Sequence, residues 1–129
     1  MGVPTNCRYT KDHEWARAEG AEVCIGITDY AQHSLGDVVF IDLPKVGAEV
    51  TAGSSMATVE SVKAVSDIYA PVTGRITKVN PALADKPELV NQDPHGAAWM
   101  VVIQPIDAAQ LSSLMEPAVY DAHIAELSK

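Results

Sequence analysis

Met56-Ala57-Thr58-Val59-Glu60-Ser61-Val62-Lys63-Ala64-Val65-Ser66-Asp67-Ile68-Tyr69-Ala70-Pro71-Val72-Thr73-Gly74 is the stretch that decides how this chain folds. Met56-Ala57-Thr58-Val59 reads as a short strand, and Ile68-Tyr69-Ala70 as another that Pro71 stops. The last seven residues echo an earlier seven. Ile41-Asp42-Leu43-Pro44-Lys45-Val46-Gly47 and Ile68-Tyr69-Ala70-Pro71-Val72-Thr73-Gly74 carry Ile, Pro and Gly at the same places. Two similar β halves, related by rotation and packed face to face, would produce such an echo. Residues 56–67 then link the halves.

Outward from this stretch, short β-branched runs alternate with Gly and Pro. Val23-Cys24-Ile25-Gly26-Ile27 reads as a strand, followed by Thr28-Asp29, either of which suits a helix cap. A brief helix over 30–35 follows, with Gly36 as its C′ residue. Val38-Val39-Phe40-Ile41-Asp42-Leu43 is a strand ended by Pro44. Val46-Gly47-Ala48-Glu49-Val50 and Arg75-Ile76-Thr77-Lys78-Val79 are two more, and Trp99-Met100-Val101-Val102-Ile103 is the last. Residues 81–96 contain Pro81, Pro87 and Pro94 and read as loop with a helical turn or two. Strands at about 8–12-residue spacing predict a sandwich or barrel. Beyond them the period changes. Asp107 and Gln110 have capping-box spacing, Leu111, Leu114 and Met115 form one helical stripe, and Pro117 suits the first turn of a second helix through Leu127. Tyr120, Ile124 and Leu127 share a face of that helix.

The 129 residues suit one domain, 1–129, at about 100–200 residues per domain. With 5% aromatics, the core must be mostly Val, Ile, Leu and Ala. A net charge of −8 disfavours phosphate backbones and anionic lipid, so neither nucleic acid nor a membrane is an expected partner. No apolar run approaches the ~20 residues of a membrane span. The start, Met1-Gly2-Val3-Pro4-Thr5-Asn6, lacks the basic and apolar regions of a secretory signal, and a cytoplasmic location is expected. Cys7 and Cys24 fit two reduced thiols, with a disulfide the alternative.

Standard catalytic patterns are missing. The chain has no GxSxG, no Gly-rich phosphate loop and no HExxH, and dispersed His13, His33, His95 and His123 suggest no metal site. Asp12-His13-Glu14 could serve as an acid/base group or merely decorate a solvated strand end. Residue chemistry alone reaches an acidic β domain that binds or carries something.

The residues around Lys63 go further. Glu60-Ser61-Val62-Lys63-Ala64, continued through Val65-Ser66-Asp67 to Gly74, resembles the lipoyl-attachment hairpin of the glycine cleavage system H proteins. Similar blocks follow in family order. They are Arg8-Tyr9-Thr10-Lys11-Asp12-His13-Glu14-Trp15, Gly26-Ile27-Thr28-Asp29-Tyr30-Ala31-Gln32, Leu35-Gly36-Asp37-Val38-Val39-Phe40 and Pro87-Glu88-Leu89-Val90-Asn91, then Asp93-Pro94 and Gly96. Departures are Arg75, where an acid is usual, Ser55 and Ala57 in place of small glycines, and Ala97-Ala98 before Trp99.

The resemblance implies a mainly β, lipoyl-domain-like barrel-sandwich hybrid of two antiparallel sheets. Its β core would span about 9–103, with a short helix in the N-terminal half and C-terminal helices over about 107–127. It implies lipoate amide-linked to Lys63, and a non-catalytic carrier that shuttles the aminomethyl intermediate of glycine decarboxylation. The implied partners are the pyridoxal-phosphate glycine decarboxylase, the tetrahydrofolate-dependent aminomethyltransferase, dihydrolipoamide dehydrogenase and the lipoylating enzymes. Glu14 and Asp67, with Asp12 and His33 beside them, would face the arm in a cleft, and Glu60 and Asp67 would mark the hairpin for lipoylation. Three alternatives remain: an H-like relay of lipoyl groups to 2-oxoacid dehydrogenases, a biotin carrier, and an unmodified acidic scaffold. Biotin sites usually carry Met on both sides of the lysine, where this chain has Val62 and Ala64.

The chemistry of such an attachment is simple. A free lysine, with a pKa near ~10.4, is a hydrated cation with no redox chemistry. Acylation removes that charge, and the five-membered disulfide ring it adds cannot reach the preferred dihedral near ~90°, so it opens readily.

Overall fold

The computed structural model describes residues 4–107 and 109–127. Residues 1–3, where the start was read for a targeting signal, and Ala108, inside the expected capping box, lie outside the described residues. The elements are β1 (Arg8–Tyr9), β2 (Glu14–Glu19), β3 (Glu22–Ile27), α1 (Asp29–Leu35), β4 (Val38–Asp42), β5 (Glu49–Val50), β6 (Ser55–Ser61), β7 (Val65–Tyr69), β8 (Gly74–Val79), α2 (Ala82–Asp85), α3 (Leu89–Gln92), β9 (Val101–Pro105), α4 (Ala109–Ser112) and α5 (Pro117–Leu127). The strands form two antiparallel sheets. The larger runs β1-β2-β3-β9-β8-β5, and the smaller β4-β6-β7.

The seven-residue echo is a real structural correspondence, but it divides the molecule differently from expectation. Ile41 on β4 pairs with Val59 and Ile68 on β7 pairs with Ala57, so the two copies flank β6 in the small sheet. After Pro44 and Pro71 each copy leaves for the large sheet, where β5 and β8 pair at Glu49 and Arg75. Each half therefore gives one strand to each sheet. The expected division, one layer per half, is corrected. Proline explains the crossing, since it has no N–H to continue a ladder.

Helix α1 starts and stops where its caps dictate. Thr28 Oγ1 accepts the Ala31 amide at 3.2 Å, and Gly36, at φ 78°, donates its amide to Gln32. That backbone conformation favours glycine.

Two parts differ from the sequence reading. Strand β2, Glu-Trp-Ala-Arg-Ala-Glu, was not expected, because half its residues are charged. It forms because β1 and β3 pair with its two edges. The stripe Leu111, Leu114, Met115 does not form one helix, since α4 ends at Ser112. Met115 instead exchanges two backbone hydrogen bonds with Tyr9, at 2.9 and 2.8 Å. Nor does Gln110 reach back to Asp107; its Oε1 accepts the Thr73 amide at 2.6 Å. Only the glutamine half of the box goes to a tertiary partner; Asp107 Oδ1 still accepts the Ala109 amide at 2.9 Å.

Two apolar clusters hold the molecule. The main one packs Ile25, Ile27, Ile76 and Ile103 of the large sheet against Val38, Ile41, Val59 and Ile68 of the small. The second gathers Tyr9, Trp15 and Tyr120 with Cys7, Cys24 and Val102. The fully buried aromatics are thus concentrated at one corner. Trp15 lies over Gly26, where an added Cβ would sit 2.7 Å from the indole, and its N–H donates to Pro94 O at 2.9 Å. Both cysteines are free and buried. Tyr120 brings α5 into this cluster and Ile124 packs on it, whereas Leu127 is half exposed.

Candidate functional site

Strands β6 and β7 make a hairpin closed by Ser61-Val62-Lys63-Ala64, and the buried Ser61 builds the turn. Its amide donates to Ala64 O at 2.8 Å, while its Oγ accepts the amides of Lys63 at 3.3 Å and Ala64 at 3.1 Å. Each N–H that a tight turn leaves without a ladder partner is thereby satisfied. The Val62 amide donates to Asp37 O at 3.0 Å, tying the apex to the residue after α1's cap. Lys63 itself is exposed. It makes no ion pair or side-chain hydrogen bond among the described residues. Its stem passes Gly36: a Cβ built there would lie 3.6 Å from Lys63 Cε.

Glu14 is the opposite case. It is 1% exposed, at the start of β2, and spans the two sheets. Thr10 Oγ1 donates to Oε1 at 2.5 Å, and the Tyr69 amide at the end of β7 donates to Oε2 at 3.2 Å. Burial pushes its pKa up to about 7, against the pull of those two donors. A cavity of about 350 Å³ opens beside it, lined by Asp12, Tyr69, Pro71 and Leu114 among others. The Lys63 turn stands about 16 Å from Tyr69 along β7, five residues at ~3.3 Å each.

His13 turns elsewhere. It holds a left-handed φ of 72°, and its Nδ1 lies 2.9 Å from the Tyr120 hydroxyl, which in turn meets Thr28 Oγ1 at 2.7 Å. Burial, then the neighbouring His123, lower its pKa, while Asp12 raises it. Burial pushes Tyr120 up to about 12. His13 and Glu14 thus belong to separate networks on either side of one backbone position, and no acid/base pair forms.

Of the residues read from sequence, Glu14 and Asp12 share the cavity. Asp67 is exposed on β7, accepting from Ser55 Oγ at 3.1 Å, and His33 is exposed in the last turn of α1; both lie outside that cavity's lining. Glu60 is exposed on β6, opposite Phe40 and Val65. Among the described residues no cluster of three or more His, Cys, Asp or Glu could hold a metal ion. No helix there is long and apolar enough to cross a membrane. Thr10 and Tyr69 were not assigned a role from the sequence, and Tyr120 and Gly36 were read only as a helix-face residue and a helix stop.

A larger cavity, about 560 Å³, lies at the ends of β5, β8 and β9 beside Glu49, Arg75 and Gln104. None of the expected site residues lines it.

Comparison with known proteins gives the family. The family model for the glycine cleavage H-protein matches residues 7–127. The chain is 53% identical over 126 residues to the glycine cleavage system H protein of Geobacillus kaustophilus, covering 98% of this chain and 99% of that one. It is 51% identical over 120 residues to that of Myxococcus xanthus, covering 93% of each. The crystal structure of the glycine cleavage system H protein from Mycobacterium marinum superposes with a TM-score of 0.87 at 41% identity, covering 95% of this chain and 99% of that one. With near-complete coverage in sequence and in fold, the chain belongs to the glycine cleavage H-protein family.

Proposed function

We propose that Lys63 bears the lipoyl group with which this chain, a carrier component of the glycine cleavage system, serves its partner enzymes. The observation that carries this reading is the isolation of Lys63: an exposed amine on a turn whose amides are all engaged, with no counter-ion to displace. A group to be acylated needs access and a fixed base, and this site supplies both. When attached, lipoate supplies a strained cyclic disulfide that can be opened, loaded and reoxidised.

The chain's own residues do the rest. Ser61 holds the turn, the Asp37 carbonyl anchors Val62, and the lysine stem runs beside Gly36. Glu14, with a pKa raised to about 7, can hold or give up a proton at Oε1 or Oε2 beside a 350 Å³ cavity near neutral pH. Asp12 adds negative charge to the same cavity. Asp67 and His33 stand outside, where they would meet an arm on its way in. Chemistry on the carried group is left to the partners: the pyridoxal-phosphate glycine decarboxylase, the aminomethyltransferase and dihydrolipoamide dehydrogenase. Lipoylating enzymes act before them, in a bacterial cytoplasm, on one carrier domain spanning 1–129.

The test is intact mass of natively expressed protein beside Lys63→Arg. Wild type should carry the lipoyl increment and Lys63→Arg should not, because a guanidinium stays protonated and is not acylated. Exchange of labelled bicarbonate into glycine, with the decarboxylase, should proceed with wild type and stop with Lys63→Arg. Modified wild type without exchange would point to a lipoyl relay instead.

A further inference from the structure

Helix α1 ends with Gly36 as its cap and β4 begins at Val38, and the short piece between them is held from two sides. On one side the Asp37 carbonyl accepts the Val62 amide at 3.0 Å, one residue from Lys63. The other side is the open edge of β4, an outer strand of the small sheet. Asn91 of α3 fills that place. Its Nδ2 donates to Gly36 O at 2.8 Å and its Oδ1 accepts the Val38 amide at 2.9 Å. These are the two bonds that the peptide group of a neighbouring strand would make, and a strand edge left without them is exposed to fraying. Asn91 Nδ2 also donates to Gln32 Oε1 at 3.0 Å, and Gln32 Nε2 donates to Asp29 Oδ1 at 2.9 Å, so the brace runs back to the first residue of α1. Val90, fully buried in the main apolar cluster, pins α3 and with it Asn91.

We propose that Asn91 is a positioning residue for the lysine-bearing apex. By holding Gly36 and Val38 it fixes the Asp37 carbonyl on which Val62 hangs, and so the direction in which a group on Lys63 leaves the hairpin. For function this rests on Lys63 as the attachment point; the brace itself stands without it. Ser61 cannot do the same work. Its side-chain bonds stay within residues 61–64, so they set the shape of the turn and not its angle to the rest of the molecule. The Val62–Asp37 bond carries that angle, and it is only as firm as Asp37, an exposed residue that follows a glycine. The site also demands a carboxamide, because Gly36 O needs a donor where Val38 needs an acceptor. A carboxylate would set an oxygen against Gly36 O and Gln32 Oε1. A reactant held at a fixed angle reacts faster than one that wanders, so a loosened base should slow delivery of the arm once the carrier is bound.

The experiment uses the full lipoylated chain, with loading checked by intact mass, in wild-type, Asn91→Ala and Asn91→Asp forms. Amide hydrogen exchange should show protection of Val62 and Val38 falling roughly tenfold in Asn91→Ala, with Ile25 and Ile103 of the large sheet unchanged. In exchange of labelled bicarbonate with the decarboxylase, with carrier concentration varied, kcat should fall roughly fivefold while KM stays within about twofold. A misfolded fraction would do the reverse, removing carrier and so raising the apparent KM at constant kcat. Asn91→Asp should match Asn91→Ala at neutral pH. Its Val62 protection, relative to wild type at the same pH, should recover as pH falls through about 4, where the protonated carboxyl regains a donor. That recovery decides the matter if Asn91→Ala does not fold. Wild-type protection of Val62 in the folded variants would overturn the inference, as would a loss spread evenly over both sheets, or wild-type kcat with a loosened Val62. A Lys63→Arg chain that still gained the lipoyl mass would overturn the attachment site instead, a separate failure that leaves the hydrogen-exchange result untouched.

Discussion

Glu14 and Asp67 bear on the same strand from opposite sides. Asp67 points off the outer face of β7, in water, held only by Ser55 Oγ. Two residues on, the backbone amide of Tyr69 turns inward and donates to Glu14, which is sealed from solvent. The residue chemistry is nearly identical and the physical consequence is opposite. On the outer face a carboxylate stays hydrated and open to solvent. At the sheet crossing, burial favours the protonated form and leaves the group poised near neutrality. Solvent, more than residue type, separates the wet outer face from a corner that favours a protonated carboxyl.

The largest effect that would break this comparison belongs to Lys63→Arg. Modification should vanish completely while stability changes by less than about 0.5 kcal/mol, as expected of an exposed turn residue. A coupled loss of folding in thermal denaturation would make the apex structural and remove the distinction.

Next comes Glu14→Gln. Glu14's pKa is raised from 4.5 to about 7 on folding, so the stability it contributes is fully present below pH 4.5 and is lost as pH rises through 7. Wild type minus Glu14→Gln should therefore fall by an amount on the order of 3 kcal/mol between pH 4.5 and 8, read from denaturant unfolding across that window. His13 and His95, whose pKa values burial lowers, act with the opposite sign but are present in both proteins and cancel. Parallel stability curves would mean that Glu14 is not held in its protonated form.

Tyr120→Phe sharpens the contrast from the other side. Its hydroxyl joins His13 to the Thr28 cap, so its loss should cost about 1–2 kcal/mol of stability. Lipoyl transfer to Lys63 should proceed at the wild-type rate, because the network lies away from the hairpin's outer face. The smallest effect is expected at Lys45 and Lys78: Arg at either should leave the lipoyl mass intact and shift stability by less than about 0.5 kcal/mol.

How much of this was legible in the sequence differs by region. Helix α1 could be read from Thr28 to Gly36, because caps are local and act through side chains a few residues apart. The hairpin and Lys63 could be read only through the resemblance of residues 60–74 to the family's attachment hairpin; the role of Ser61 in the turn came from the structure. The 41–47 and 68–74 echo pointed to related strands but not to their distribution between the sheets. That depends on where each chain segment goes after its proline. Strand β2 was illegible, because its pattern of Glu, Trp, Ala and Arg follows its neighbours rather than a simple alternation. The break after Ser112 was likewise hidden, as Tyr9, more than a hundred positions away, claims the backbone of Met115.

The sequence by itself determined the β class, the family resemblance, the lysine at the apex and the acidic surface around it. Each depends on residue identity and short spacing. The tertiary structure alone decided that Glu14 is buried while Asp67 is wet, that Phe40 is turned outward by a one-residue bulge, and that His13 answers to a tyrosine on the last helix. The reason is physical: a group's pKa, exposure and hydrogen-bond partners are set by what surrounds it in space, and here the surroundings arrive from β2, β7 and α5, strands and helix far apart in the chain.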